Sequence, residues 1–319
     1  MITRRNMLKL STAALAGAAF ASKATETVRI EFTLFSAFYS PLVLTVAGRY
    51  LAEEGLSPVI SVSSAGRSAL ASLDNGTADV VQTAPSQAFN DLEKGNRPTN
   101  VHFAQINQKD GFFLAARAPD PSFTWKRLEG KKVLVTPGVQ PTTMFKYACF
   151  KAGIDISKVQ MIEAGPPEAM LKAFASGTGD YVHLQGPMPQ QLAHDGKAHI
   201  VTSLGDVIGL CAFSSLAAKR EWLATPKAAA FARAYRKACG DLLSRPAAEI
   251  ARIEQSYFEG VPLDVLETTI TSYQQLGNWS SDIAISRPSF EATLDIFQHA
   301  GLIRQRYAYE DVVAAVPGA

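Results

Sequence analysis

Gly76-Thr77-Ala78-Asp79-Val80-Val81 returns 101 residues later as Gly177-Thr178-Gly179-Asp180-Tyr181-Val182. The register then holds without a gap to Gly95 and Gly196. A helical pattern precedes both copies: Ala69, Leu70 and Leu73 in one, Met170, Leu171 and Phe174 in the other. Further upstream Ala65-Gly66 matches Ala164-Gly165, Gly55 matches Gly153, and Pro41 matches Pro141. Each copy therefore reads as the same βαβαβ unit. The first has strands Val28–Phe35, Val59–Val62 and Ala78–Gln82, with helices Pro41–Glu54 and Ser68–Leu73. The second has strands Lys132–Thr136, Val159–Ile162 and Asp180–Leu184, with helices Pro141–Ala152 and Pro167–Ala175. Glycines after the helices suit left-handed caps.

Strand–helix alternation of this kind implies an α/β fold of parallel sheets covered by helices on both faces. Between the copies, Phe112–Ala116 reads as a strand leaving the first unit, and Pro119-Asp120-Pro121 as a linker. Leu210–Phe213 suits a return crossing. From Pro226 the chain reads mainly as helices: Ala228–Leu243, Pro246–Phe258, Leu263–Leu276 and Phe290–Gly301, packed back on the first unit. Residues 28–117 and 208–319 are expected to form one lobe, and 118–207 the other.

The first 21 residues read as an export signal. Thr3-Arg4-Arg5-Asn6-Met7-Leu8-Lys9 precedes an apolar run from Leu10 to Ala21 that ends in the cleavage pattern Ala19-Phe20-Ala21. The paired arginines resemble a twin-arginine signal, with Met7 in place of the usual Phe. The run is too short for a stable span, which needs about 20 apolar residues. No cysteine follows it to carry a lipid anchor. The 319 residues are 47% hydrophobic and 19% charged, with a formal net charge of +2. Removing the leader takes three cations, leaving 28 basic against 29 acidic residues. No basic block marks a nucleic-acid surface. Cys149, Cys211 and Cys239 cannot all pair and read as small buried apolar residues. A soluble periplasmic protein is the expectation.

In open parallel sheets ligands bind outside the carboxyl ends of the strands. Two such lobes facing each other make a cleft walled by loops and helix N-termini, closed by a hinge. Here the residues carry a resemblance. Glu53-Glu54-Gly55-Leu56, Asn75-Gly76-Thr77-Ala78-Asp79, Leu128-Glu129-Gly130-Lys131-Lys132-Val133 with Thr136-Pro137-Gly138, Gly177-Thr178-Gly179-Asp180, and the tail around Trp279 and Phe290–Tyr307 carry it. The chain resembles the periplasmic binding proteins of ABC importers for nitrate, sulfonates, taurine and thiamine-pyrimidine precursors. That resemblance implies a two-lobed type II binding-protein fold, delivery of a solute to an inner-membrane permease, no cofactor, and a monomer.

Candidate ligand contacts follow from both arguments. Ser36, Phe38 and Tyr39 follow the first strand. The two rings either stack on a flat ligand or belong to the core. Ser64 and Arg67 lie in a small-residue turn, where Arg67 either clamps an anionic group or is a solvated charge. Thr83 and Ser86 follow the third strand, and Gln108 and Asp110 precede the exit strand. In the second lobe Thr136, Gln140, Thr142 and Thr143 surround a helix start, and Gln185 follows the repeated strand. The threonines either bind ligand or only cap the helix. Two aromatic residues in one cleft loop favour a small organic solute over nitrate.

Chemistry is sparse. No G-x-S-x-G, phosphate-binding loop or H-E-x-x-H occurs, and the five histidines show no metal spacing. Fungal thiamine-pyrimidine synthases are similar in fold but carry a cysteine-rich run, of which this chain has only Cys149-Phe150. A sensor that presents a solute to a membrane signalling protein would use the same cleft as an importer.

Overall fold

A computed structural model describes residues 25–63 and 68–318. The expected leader (1–21), Ser64 and Arg67 lie outside the described residues. Ten strands are described: β1 (Glu26–Phe32), β2 (Leu56–Val62), β3 (Val80–Thr83), β4 (Asn100–Lys109), β5 (Phe112–Ala116), β6 (Lys132–Val135), β7 (Gln160–Ile162), β8 (Tyr181–Gln185), β9 (His199–Ser203) and β10 (Leu210–Lys219). The helices before the second crossing are α1 (Ser40–Ala47), α2 (Tyr50–Glu53), α3 (Leu70–Asp74), α4 (Ser86–Glu93), α5 (Val139–Lys151), α6 (Pro167–Ala175), α7 (Met188–His194) and α8 (Leu204–Ile208). After it come α9 (Arg220–Leu223), α10 (Pro226–Ser244), α11 (Ala247–Glu254), α12 (Leu263–Leu276), α13 (Arg287–His299) and α14 (Tyr309–Val312).

The strands form two five-stranded sheets of identical wiring, β2-β1-β3-β10-β4 and β7-β6-β8-β5-β9. In each, the first three strands are parallel, the fourth is antiparallel to its neighbours, and the fifth returns to the original direction. Both sheets are therefore mixed, with four strands running one way and one against them. The reversed strand of each sheet is the one attached to a chain crossing.

The repeated motif has a structural cause. The Asp79 carboxylate accepts a bond from the Arg29 backbone N–H (2.9 Å), while Asp79 N–H donates to Arg29 O (2.9 Å). Asp180 does the same to Lys132, at 2.8 and 2.7 Å. Each aspartate so ties the start of a third strand to the first. The glycine before it must be left-handed to end the preceding helix (Gly76 φ 67°, Gly177 φ 101°), a conformation costly to any residue with a Cβ.

Three expectations need correction. Helix Pro41–Glu54 is broken: α1 ends at Ala47, Arg49 is left-handed (φ 63°), and α2 begins at Tyr50. Gly48 permits this, because a Cβ there would lie 2.4 Å from the buried Tyr50 ring. Strand Val28–Phe35 stops at Phe32, freeing the next residues to turn into the interlobe space. Phe112–Ala116 belongs to the second sheet, between β8 and β9. The first crossing therefore falls at Asp110-Gly111, not after residue 117. Gly111 makes that turn possible, since a Cβ on it would sit 2.1 Å from the Phe38 ring.

The C-terminal helices cover mainly the first sheet's body, with α10 and α11 on α1, and α13 on β10. They also reach across, α12 touching α7 and α13 touching α5. One large apolar core runs under the first sheet and through the crossing, with Phe32, Phe38, Phe103, Phe231 and Tyr235 fully buried. Burying one such ring stabilises by about 2–3 kcal/mol. A separate cluster of Leu134, Met170, Phe174, Val182 and Leu184 packs α6 onto the second sheet. No described helix is long and apolar enough to cross a membrane.

Candidate functional site

The segments after β1, β3, β6 and β8 converge between the sheets around a cavity of about 440 Å³. That volume suits a small-molecule site. Phe35, Tyr39, Phe112 and Phe213 contribute aromatic surface, and Pro137, Pro141 and Met188 apolar surface. Gln82, Gln87, Gln140 and Gln185 contribute amides. None of the described lining residues carries a formal charge. Among the described residues no group of three His, Cys, Asp or Glu is placed to hold a metal ion.

A polar network spans the lobes at the base of the cavity. Ser36 caps the 3-10 turn Ala37–Tyr39 through its Oγ, which also accepts from Gln185 Nε2 (2.6 Å) and donates to Gly186 O (2.6 Å). Gly186 N–H donates to the buried Tyr273 hydroxyl (2.8 Å), which donates onward to Gly111 O (2.9 Å). Gln82 Oε1 accepts from Thr33 N (2.8 Å) and from the Thr33 hydroxyl. Burial pushes the Tyr39 phenol above its usual pKa, offset in part by the side chains of Gln185, Ser214, Gln82 and Thr33 around its hydroxyl. At another edge Gln140 bridges the lobes: its Oε1 accepts from Ser86 Oγ (2.7 Å) and its Nε2 donates to Phe213 O (3.0 Å).

Ser36, Tyr39, Thr83, Thr136, Gln140 and Gln185 all line the cavity, and Ser86 meets it through Gln140. Thr136 is partly committed, its Oγ1 donating to His183 O (2.6 Å). Other expected contacts lie elsewhere. Phe38 is fully buried among Tyr39, Phe213 and Tyr273, with ring centroids 5.3 Å away in each case, so it presents no face to a ligand. Gln108 donates to Gly277 O (3.1 Å) and Trp279 O, fixing the segment after α12. Asp110 is buried at the first crossing; its Oδ1 accepts from Phe112 N (2.7 Å), and Oδ2 has no partner. Burial pushes its carboxyl up to about 7. Thr142 and Thr143 lie past the helix start, outside this cavity. Thr143 borders a separate surface hollow between α5 and the end of α13.

Sequence reasoning missed Thr33, Phe35, Gln82, Gln87, Phe112, Phe213 and Ser214. Phe112 and Phe213 are on the reversed strands, which turn their N-terminal ends toward the cavity. A rule that looks only at carboxyl ends passes over them. Gln82 and Gln87 lie within four residues of Thr83 and Ser86, and the same rule with a wider window would have reached them.

Comparison with known proteins agrees with this geometry. The Bacillus subtilis (strain 168) protein YtlA, whose name places it among binding proteins, is 28% identical over 290 residues, 90% of this chain and 87% of YtlA. Among solved structures, the alkanesulfonate-binding protein SsuA of Xanthomonas axonopodis pv. citri bound to MOPS superposes with a TM-score of 0.69 at 19% identity, over 92% of this chain and 100% of SsuA. The zinc-bound ligand-binding component of an ABC-type import system from Staphylococcus aureus gives 0.70 at 16% identity, over 91% and 97%. The desulfurization enzyme DSZB shares the fold too, with a TM-score of 0.65 at 11% identity over 91% and 96%. At these identities the structures speak for the fold alone, the two-lobed α/β fold of periplasmic binding proteins. Residues 39–249 match the NMT1/THI5-like family across more than half the chain, and the protein belongs to that family.

Proposed function

We propose that the chain is the solute-binding component of an ABC import system. It works outside the cytoplasm as a monomer, captures a small organic solute between its lobes, and hands it to a membrane permease. The observation that carries this reading is the cavity itself: about 440 Å³ between two sheets of like wiring, bridged by hydrogen bonds from both sides. A site built across two bodies couples ligand capture to their closure, which is what a carrier presents to its acceptor. The family and the ABC import component among the structural relatives support the same reading. Catalysis fits less well. The described lining offers hydroxyls, amides and aromatic rings but no acid, base or thiol poised for proton transfer.

Thermal unfolding of the protein from Ser22 onward tests this. The panel would hold alkanesulfonates, taurine, thiamine-pyrimidine precursors, riboflavin, aromatic acids and amides, nitrate and bicarbonate. A ligand at 100 times its dissociation constant stabilises by about 2.7 kcal/mol, a clear rise in midpoint. The import reading expects such a rise with one class, unchanged covalent structure of that ligand, and its uptake by membranes carrying the cognate permease. Turnover of the ligand would move the reading to an enzyme.

A further inference from the structure

Most polar side chains around the cavity are already committed. Gln82 Oε1 serves Thr33, both ends of Gln140 are used, Gln185 Nε2 holds Ser36, and the Thr136 hydroxyl holds His183 O. Besides the Ser68 hydroxyl, two groups close together on one short segment stand apart. The Thr83 hydroxyl and the Gln87 amide line the cavity and make no side-chain hydrogen bond to any described residue. The segment that carries them is well fixed. Thr83 ends β3, Gln87 is the second residue of α4, and Gln87 N–H donates to Ala84 O (2.9 Å) across the turn.

We propose that Gln87 and Thr83 are the specificity-determining residues of the cavity, and that they select an uncharged planar compound with a carboxamide or lactam edge. The proposal rests on the solute-binding reading above. A glutamine amide offers one donor face and one acceptor face that no pH change can alter. A primary carboxamide or a lactam presents the complementary acceptor and donor side by side, so the two pair twice. The Thr83 hydroxyl, able to donate or accept, adds a third bond. Phe35, Phe112 and Phe213 border the cavity with aromatic carbon that a flat apolar body would pack against. A site built to pair with an amide also rejects the matching acid, because the glutamine is left with one hydrogen bond unmade.

Matched pairs test this: nicotinamide against nicotinate, benzamide against benzoate, and 2-pyridone against benzenesulfonate. Each would be titrated calorimetrically into the parent, Gln87→Leu, Gln87→Glu and Thr83→Val, with circular dichroism confirming that each variant is folded. The expected result is binding of the amides and lactam at least tenfold tighter than their partners. Gln87→Leu should weaken it tenfold or more, and Thr83→Val by a smaller factor. Tighter binding of the acids or the sulfonate, amide binding unchanged in Gln87→Leu, or no binding of any amide or lactam would each overturn it. If a sulfonate or another class in the thermal panel binds instead, the solute-binding reading survives and only this assignment falls. If nothing in the panel binds, the reading beneath it falls as well.

Discussion

Asp110 offers a perturbation whose size follows from its surroundings. Its carboxyl is fully buried at the first crossing, with one oxygen on Phe112 N–H and the other unpartnered. The titratable neighbours are the Cys211 thiol and the Tyr273 phenol, both pushed upward mainly by burial, and the adjacent Lys109 ammonium, which donates to Leu276 O (2.8 Å). The Lys109 ammonium is turned to Leu276 O, and burial outweighs the Phe112 N–H bond, so Asp110 titrates at about 7 when folded against an ordinary value of 3.8. The folded state then holds a proton that the unfolded chain gives up above pH 4. Stability must fall as pH rises through that window, until the folded carboxyl itself ionises near 7. At about 1.4 kcal/mol per pH unit, the loss between pH 5 and pH 8 is about 2–3 kcal/mol. Asp110→Asn keeps an oxygen for Phe112 N–H and cannot ionise. Urea unfolding of both proteins, followed by tryptophan fluorescence across pH 5 to 8, reads the difference. Taking the difference cancels other buried groups. Glu254 is raised by burial and gives the same slope, whereas His102 and His183, lowered to about 3, lose stability as pH falls below 6.5. The variant should gain on the parent by about 2–3 kcal/mol over the range. A gap that stays constant with pH would show that Asp110 is not protonated in the folded state, and the argument from its burial would be wrong.

Two further outcomes follow from packing. Cys149, Cys211 and Cys239 are free and buried, and burial raises all three thiols, the first and last to about 12. Ellman's reagent should therefore release no thiolate from the folded protein at pH 8 and three equivalents in guanidinium; rapid reaction of any one in the native state would contradict its placement. Gly111→Ala would drive a methyl to within 2.1 Å of the Phe38 ring, which Tyr39, Phe213 and Tyr273 hold from three sides. Overpacking of that kind costs about 1–3 kcal/mol, so calorimetry should show the unfolding midpoint several degrees lower, and an unchanged midpoint would mean the crossing is looser than its contacts indicate.

How much of this was legible in the sequence depends on where the determining contacts lie. Helices α6 and α12 start and stop where the sequence places them, because proline opens each and the chain turns within two residues of each end; both signals are local. The repeat was legible for a similar reason. Its aspartates bond backbone positions fixed by strand order, so the same residue recurs at the same place in both units. The break after α1 was not legible, since it follows from the Tyr50 ring lying over Gly48 while its hydroxyl donates to Asp241 Oδ2 (2.5 Å), almost 200 positions away. Phe38 misled for the same kind of reason. A ring beside a strand end is as good a ligand contact as a core residue until Phe213 and Tyr273 arrive from distant segments to enclose it.

The site itself yields to a more careful use of strand direction. The carboxyl-end rule presumes that every strand points the same way. Here each sheet receives one strand from a chain crossing, and that strand runs against the other four. Geometry then requires it to meet the cavity with its beginning. Phe112 is the first residue of β5, and Phe213 and Ser214 lie in the first half of β10. Both crossings were visible in the sequence as strands without a place in either repeated unit. Had they been assigned as reversed, their leading residues would have joined Ser36, Thr83, Thr136 and Gln185 as candidates. The place where a crossing strand enters its sheet also places the lobe boundary, which is why the late boundary after residue 117 and the overlooked Phe112 are one error. Gly111, held against Phe38, marks where the division falls.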